Sequence, residues 1–383
     1  MKEKANICPV YLDCNATTPL DPEVREILFH YLESDYGNEG SRTHEYGSRA
    51  KQAVQKARDQ VGAVVDAKRD EVIFTSGATE SNNLAILGLL AHGNETERRH
   101  LIGTRIEHKA VLEPLEQMER QGFEVSWLDC DEQGRVRLEE LEQALRPDTL
   151  LVSIMAANNE TGVRQPLEEI CRILDGHEAY LHTDAAQAFG KDLEPLRNHR
   201  VDLISISGHK LYAPKGIGAL VTRRRGYDRP PLKSLFYGGG QERGLRPGTL
   251  PVASVAALGV AAETAVKHHE KRRKYCRKMK DAALKAFAPL SPRFHGRPEE
   301  TMDHVLNLSF AGIDSEALIV ALKDLVAISN GSACTSSSYT PSHVIKAMGY
   351  SDDEANEAIR LSWCHLTPEV DWEAIARRLA SLR

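Results

Sequence analysis

No apolar run in the 383 residues reaches the roughly 18 positions needed to span a bilayer, because charged residues interrupt each one. The N-terminus, MKEKANICPVYLD, lacks an apolar h-region and reads as neither signal peptide nor anchor. Cysteine is sparse: seven residues, at 8, 14, 130, 171, 276, 334 and 364, with no C-x-x-C spacing. An odd, scattered set excludes a secreted disulfide framework and points to a reducing cytoplasm. Positive charge is not in excess either. Lys and Arg total 49 against 55 Asp and Glu, a net charge of −6, which argues against a dedicated nucleic-acid binder. Internal repeats and low-complexity tails are absent. What is present is 41% hydrophobic residues and 27 glycines, an ordinary composition for a globular protein of enzyme size. The length allows about two or three domains.

Asp21-Pro22 opens a helical pattern to about Leu32, and a Lys- and Arg-rich one covers Glu45 to Val65. From residue 70 to 222 short apolar runs alternate with amphipathic stretches. EVIFTS (71–76), HLIGTR (100–105), FEVSWL (123–128), LLVSIM (150–155), YLHTD (180–184), DLISIS (202–207) and GIGALVT (216–222) read as strands. SNNLAILGLLAH and KAVLEPLEQMERQ, lying between them, have helical period. The alternation predicts an α/β fold with a mainly parallel central sheet flanked by helices. Ligands of such sheets bind at the loops after the strands' carboxyl ends. Past residue 225 a Gly/Pro-rich stretch, FYGGGQERGLRPGTLP (236–251), leads into one long helix from Val252 to about Phe287. HVLNLSF (304–310) then reads as a strand, SEALIVALKDL as a helix and AISNGSACTSSSYTPS as a loop. The C-terminal third therefore reads as a smaller α+β domain.

Four clusters carry chemistry. SGATESNN (76–83) follows a strand and opens a helix. Gly77 allows the turn, and Ala78 and Thr79 offer N–H groups and a hydroxyl where a helix end attracts phosphate. A plain N-cap fits the same residues. SGHKLYAPKGIGAL (207–220) places Lys210 at a strand end after Ser207 and His209. A Schiff-base enzyme needs such a fixed, partly desolvated amine, although a single lysine is ordinarily a solvated surface group. HTDAAQAFG (182–190) puts Asp184 where a buried acid needs a cationic partner; a pyridinium nitrogen is one, a helix N-cap the plainer use. Asn159 in NNETG and His108 in EHKAV fall in similar loops, where turn or capping roles compete. Cys334, in NGSACTSSS (330–338), sits among small polar residues. A thiol there is exposed rather than structural, and it needs a cation or imidazole nearby to become a good nucleophile.

GATESNN, EHKAV, NNETG, DAAQAFG, SGHKLYAPKGIGAL, RPGTLP, GSACTSSS and IRLS occur in the order found in the NifS/IscS-type cysteine desulfurases. The resemblance runs from YLDCNATTP (11–19) to about Thr367, and GSACTSSS resembles the first, long-loop group. It implies fold type I of the pyridoxal-phosphate enzymes, with residues 19–265 as the large cofactor-binding domain. Residues 1–18 and 266–383 would form the small domain carrying the Cys334 loop. It further implies a homodimer, L-cysteine as substrate, pyridoxal 5′-phosphate as cofactor and no metal. On matching positions, Lys210 is the Schiff-base lysine and proton shuttle, and Asp184 pairs the ring nitrogen. Gln187 and Asn159 address the ring hydroxyl, with Asn159 also reaching substrate, and His108 stacks on the ring face as a catalytic residue. Ala78, Thr79, Ser207 and His209 hold the phosphate, joined by Thr249 of RPGT from the partner subunit. Arg360 of IRLS clamps the substrate carboxylate, where a planar guanidinium gives bidentate geometry. Cys334 attacks the substrate sulfur, leaving alanine and a Cys334 persulfide.

One departure stands out. Where the family continues IRLS with Gly-Arg-Phe, this chain has Trp363, Cys364, His365 and Leu366. Cys364 and His365 are neighbours in an extended segment, where adjacent side chains point apart. LDCNATTP, GSRTHEYG and FYGGGQERGLRPGT look most like the DndA branch, which supplies sulfur for phosphorothioate modification of DNA. The implied acceptor is then a phosphorothioation enzyme, or alternatively an iron-sulfur scaffold or tRNA-thiolation partner of a general desulfurase. KHHEKRRKYCRKMK (267–280) reads as a solvated or acidic-partner face rather than a DNA-binding patch. Another pyridoxal-dependent lyase or transaminase, or a scaffold that has lost its chemistry, are the rival readings. A transaminase has no use for Cys334, and a scaffold has no reason to keep Lys210 and Asp184.

Overall fold

The computed structural model describes residues 9–330 and 341–382. Its centre is a seven-stranded sheet; six strands fall inside the apolar runs read from the sequence, and the seventh, Thr149–Ser153, begins one residue before its run at 150–155. Across the sheet the order is Val72–Thr75, Gly218–Thr222, Leu203–Ser207, Tyr180–Asp184, Thr149–Ser153, His100–Thr104 and Glu124–Leu128. All neighbours are parallel except Gly218–Thr222, which is antiparallel to both strands beside it.

Successive side chains on these strands feed two separate apolar layers, as the two-residue period of a strand requires. Ile73, Leu101, Leu151, Leu203 and Leu220 pack with Leu84, Val111 and Leu115 from helices Ala78–Leu87 and Lys109–Arg120. Phe74, Ile102, Val152, Ile204 and Val221 pack on the other face with Val54, Val61 and Leu258 from helices Glu45–Val64 and Val252–Lys267. Because both faces are covered, the inner strands are buried and largely apolar, the mark of a parallel sheet in an α/β protein, while the edge strand Glu124–Leu128 is only partly buried.

A second apolar cluster joins Leu12 to residues between Cys276 and Leu379. It lies against an antiparallel sheet of Ile359–Ser362, Val305–Ser309 and Arg293–Phe294. The single long helix expected from Val252 to Phe287 is two helices, Val252–Lys267 and His269–Phe287, broken at His268 (φ −111°, ψ 13°). Past the break the His269 ring lies 3.1 Å from the Lys191 carbonyl, a tertiary contact beyond the reach of local sequence.

The N-terminal strap threads between the two regions. Val10–Tyr11 pairs in parallel with Val326–Ala327, and Asp13 bridges Ser362. The strap then passes under the carboxyl ends of the central strands, where the Thr18 N–H donates to the His209 carbonyl (3.1 Å). No helix among the described residues is long and apolar enough to cross a membrane.

Candidate active site

A cavity of about 500 Å³ opens where the central parallel strands end. The loops after five strands supply its wall: Gly77–Thr79 after Val72–Thr75, His108 after His100–Thr104, Met155 and Asn159 after Thr149–Ser153, Ala186 and Gln187 after Tyr180–Asp184, and His209 and Lys210 after Leu203–Ser207. Asp184 and Ser207 are the last residues of their strands. Arg360 closes the cavity from the smaller sheet, and Asn15 and Ala16 from the strap. Of the residues singled out from sequence, Ala78, Thr79, His108, Asn159, Asp184, Gln187, Ser207, His209, Lys210 and Arg360 all line this one space. Thr249 does not; it is exposed on the surface of its own chain. Cys334 lies outside the described residues.

The reversed strand Gly218–Thr222 shapes one wall. Its first residue meets the loop before helix Ala78–Leu87, and a Cβ on Gly218 would stand 2.6 Å from Gly77 Cα and 2.3 Å from the Ile206 carbonyl oxygen. Only glycine lets the two backbones approach so closely. Gly77 itself has φ 154°, a second glycine-dependent position. The ten-residue helix that follows presents its N-terminus beside Ser207 and His209. Burial and the adjacent Lys210 and Lys215 push the His209 imidazole down to about 4, so the ring is neutral at physiological pH. Helix N–H groups, a hydroxyl and a neutral imidazole make an anion cradle.

Asp184 is held on both oxygens: Asn82 Nδ2 donates to Oδ2 (2.8 Å) and the Ala186 N–H to Oδ1 (2.9 Å). The Lys210 ammonium donates to the carbonyls of Asn15 and Ala16, the latter at 2.7 Å. The same strap residue organises its neighbours. Gln187 Nε2 donates to the Asn15 carbonyl (3.0 Å), and Asn15 Nδ2 donates to the Asn159 carbonyl (3.1 Å). His108 caps helix Lys109–Arg120, its Nδ1 accepting from the Ala110 N–H (3.0 Å), and burial depresses its proton affinity. Arg360, 2% exposed, donates to Asp13 Oδ1 (2.7 Å) and to the Asn159 carbonyl (2.9 Å).

Several buried polar atoms here have no protein partner: Asn159 Oδ1, Gln187 Oε1, Asn15 Oδ1 and Arg360 Nε. Burying unpaired polar atoms costs about 1–3 kcal/mol each, so four on one cavity's walls mark groups shaped for a ligand. A pyridoxal phosphate fits this donor set. The cradle at Ala78, Thr79, Ser207 and His209 suits its phosphate, Asp184 its ring nitrogen, Asn159 and Gln187 its ring hydroxyl, and Lys210 its aldehyde.

Sequence reasoning passed over three residues. Asn15 and Asp13 sit 195 and 347 positions from the residues they hold, and nothing local announces them. Glu107, fully buried beside His108, accepts from the Met155 N–H (2.7 Å) and Thr104 Oγ1 (3.1 Å) through Oε1, while Oε2 is unpartnered. Burial drives its carboxyl up to about 8. A glutamate beside the candidate histidine was a visible signal, though it reads equally as a helix-start acid. The Cys364–His365 pair does point apart: Cys364 accepts from the Thr367 hydroxyl (3.7 Å), while the His365 ring reaches Asp21 Oδ2 (3.1 Å).

The family model "Aminotransferase class-V" matches residues 10–375. A cysteine desulfurase of Homo sapiens is 46% identical over 363 residues, 94% of this chain and 79% of its own length. The crystal structure of DndA from Streptomyces lividans superposes with a TM-score of 0.82 at 48% identity, covering 92% of this chain and 99% of that one. SspA in complex with cysteine superposes with a TM-score of 0.81 at 35% identity, covering 94% and 99%. A family match over nearly the whole chain, relatives at these identities and a cavity built for pyridoxal phosphate agree: the chain belongs to the cysteine desulfurases, pyridoxal-phosphate-dependent enzymes of the aminotransferase class-V family.

Proposed function

We propose that the chain takes sulfur from L-cysteine, leaves L-alanine, and delivers the sulfur as a Cys334 persulfide to an acceptor protein that serves phosphorothioate modification of DNA. The observation that carries this reading is the convergence of Lys210, Asp184, His108 and Arg360 on one cavity whose unpaired polar atoms await a ligand. When bound, pyridoxal phosphate supplies an electron sink conjugated to the substrate's α-carbon. Lys210 Nζ takes the α-proton, hands a proton to the methylene carbon as its bond to sulfur breaks, and then returns one to the α-carbon, the second proton coming from the substrate thiol. Asp184, fixed by Asn82 and the Ala186 N–H, keeps the ring nitrogen protonated. His108 covers the ring face and limits water. Arg360 holds the substrate carboxylate through its free Nε and a second guanidinium nitrogen turned from Asp13 or Asn159. The Cys334 thiolate forms an S–S bond to the substrate sulfur, the carbon–sulfur pair moves onto carbon, and that carbon is protonated to give alanine.

Two coarser assignments belong to the same reading. The enzyme works as a homodimer in which exposed Thr249 completes the neighbour's phosphate site, and residues 19–265 act as one domain against 1–18 with 266–383. The likeness to DndA at 48% identity favours a phosphorothioation acceptor over a general iron-sulfur or tRNA-thiolation role. Incubating the cofactor-loaded protein with L-cysteine, and quantifying alanine and labelled sulfur on Cys334 before and after adding each candidate acceptor, tests it. Alanine without protein-bound sulfur, or sulfur that no phosphorothioation enzyme accepts, defeats the respective half.

A further inference from the structure

Cys14, Cys364 and Lys191 are interior groups that the chemistry above leaves unused. Cys14 and Cys364 are 2% and 1% exposed and pack in one cluster with Tyr212. Backbone pairing brings them together. Asp13 bridges Ser362 in parallel, and the Cys14 N–H donates to the Ser362 carbonyl (3.1 Å), which sets the Cys14 and Cys364 side chains in the same packed cluster. Cys364 Sγ also accepts from the Thr367 hydroxyl (3.7 Å) and is flanked by the Leu366 N–H. The Lys191 Nζ lies 3.3 Å from His304 Nε2, a ring that burial keeps neutral. Burial lowers the proton affinity of Lys191, and the groups that oppose this and favour its charge are the thiols Cys14, Cys276 and Cys364.

We propose that Cys14 and Cys364 form a redox-active dithiol that a small hydroperoxide converts to a disulfide, with Cys364 as the attacking thiolate and Lys191 as its counter-ion. The Cys364 sulfur forms a bond to one peroxide oxygen as the O–O bond breaks, and the departing hydroxide takes a proton and leaves as water. The Cys14 thiol then displaces the hydroxyl from the Cys364 sulfenic acid, closing the S–S bond and releasing a second water. Two thiols supply the two electrons that the peroxide takes.

The surroundings separate Cys364 from the other buried cysteines, and from Cys14 too, whose thiol the Cys364 contact and burial push well up. Burial pushes the Cys130 and Cys171 thiols up to about 11 and Cys276 up to about 12. Hydrogen bonds from Cys14, Leu366 and Thr367, with Lys191 beside them, hold Cys364 below the usual thiol range. A cavity of about 40 Å³, lined by Lys191, Tyr212, Cys276 and His304, adjoins the pair through Lys191 and Tyr212. It has room for a molecule little larger than water. Cys14 lies between Asp13, which holds Arg360, and Asn15, whose carbonyl takes the Lys210 ammonium. Closing the bond displaces this strap, so the oxidised enzyme turns over L-cysteine more slowly.

Peptide mapping of the cofactor-loaded protein, alkylated and digested without reductant after a few equivalents of hydrogen peroxide, tests the site independently of turnover. The expected product is a peptide linking Cys14 to Cys364, two hydrogens lighter than its halves and separated again by dithiothreitol. In Cys14→Ser the oxidation stops at a Cys364 sulfenic acid, trapped by dimedone. Lys191→Met slows Cys364 oxidation, because the cation that favours the thiolate is gone. Free, alkylated Cys14 and Cys364 in wild-type protein whose Cys334 is already oxidised would overturn the proposal. So would a dimedone adduct on Cys14 in Cys364→Ser, or unchanged turnover by the linked form.

Discussion

Glu107→Gln should make the protein more stable relative to wild type as the pH rises. The carboxyl is fully buried and held at about 8 instead of the ordinary 4.5, mainly by desolvation. Above 4.5 the unfolded chain gives up this proton while the native state keeps it, so the native state binds more protons and stability falls with rising pH. The contribution is intact below 4.5 and is lost progressively up to about 8. At about 1.4 kcal/mol per pH unit, the loss between pH 5 and pH 8 comes to about 3–4 kcal/mol. Glutamine mimics the protonated side chain. Its Oε1 can accept from the Met155 N–H and the Thr104 hydroxyl as Glu107 Oε1 does, and it never ionises. The stability difference between variant and wild type should therefore widen by about 3–4 kcal/mol over that interval. Equilibrium urea unfolding at both pH values, followed by circular dichroism, measures it. A difference that stays constant from pH 5 to pH 8 would mean that Glu107 is ionised in the folded protein, and the argument fails.

Lys210→Ala should abolish alanine formation and the cofactor's visible absorbance; retained turnover with a retained band contradicts its assignment. Cys334→Ser should still bind L-cysteine, seen as a spectral change, yet form almost no alanine and carry no persulfide, whereas a lyase that eliminates sulfide directly keeps most of its rate. Arg360→Lys should raise the KM for L-cysteine about 10–100-fold, the equivalent of roughly 1.5–3 kcal/mol from a lost charge-assisted hydrogen bond, and an unchanged KM moves the carboxylate site elsewhere. Gly218→Ala should weaken pyridoxal phosphate binding by forcing the Gly77 backbone away from Ile206, measured by titrating the cofactor-free protein. Sedimentation should give a dimer at working concentration, and an active monomer rules out a shared site.

The central sheet was legible because its inner strands are buried on both faces and so spell largely apolar runs, as in LISIS and LLVS; the edge strand Glu124–Leu128 is only partly buried. The pocket residues that follow those strands were legible for the same reason: the strand ends locate the loops. The break at His268 was not, since Lys267, His268 and His269 carry no helix-stopping residue. Nor were Asp13 and Asn15, whose roles exist only after the strap has met residues far along the chain. Cys364 looked like a neighbour of His365. It packs instead with Cys14 and Tyr212, where the bridge between Asp13 and Ser362 brings the strap alongside.

The strap also dictates an order of assembly during synthesis. Residues 72–222 hold the whole central sheet and, with it, the phosphate cradle, Asp184 and Lys210. A nascent chain emerging N-terminus first can pair these strands long before Arg360 has been made. The strap leaves the ribosome more than 300 residues before its partners at Val326–Ala327 and Ile359–Ser362. For most of translation Val10, Tyr11 and Leu12 have no place to go, and their apolar side chains stay exposed to other chains. Loop closure over this span is entropically only modestly harder than over a short one, because the cost grows with the logarithm of length. Delay, rather than free energy, is the hazard of this topology. A polysome making this enzyme displays many copies of an unpaired N-terminal strand, each awaiting the C-terminal residues that will cover it.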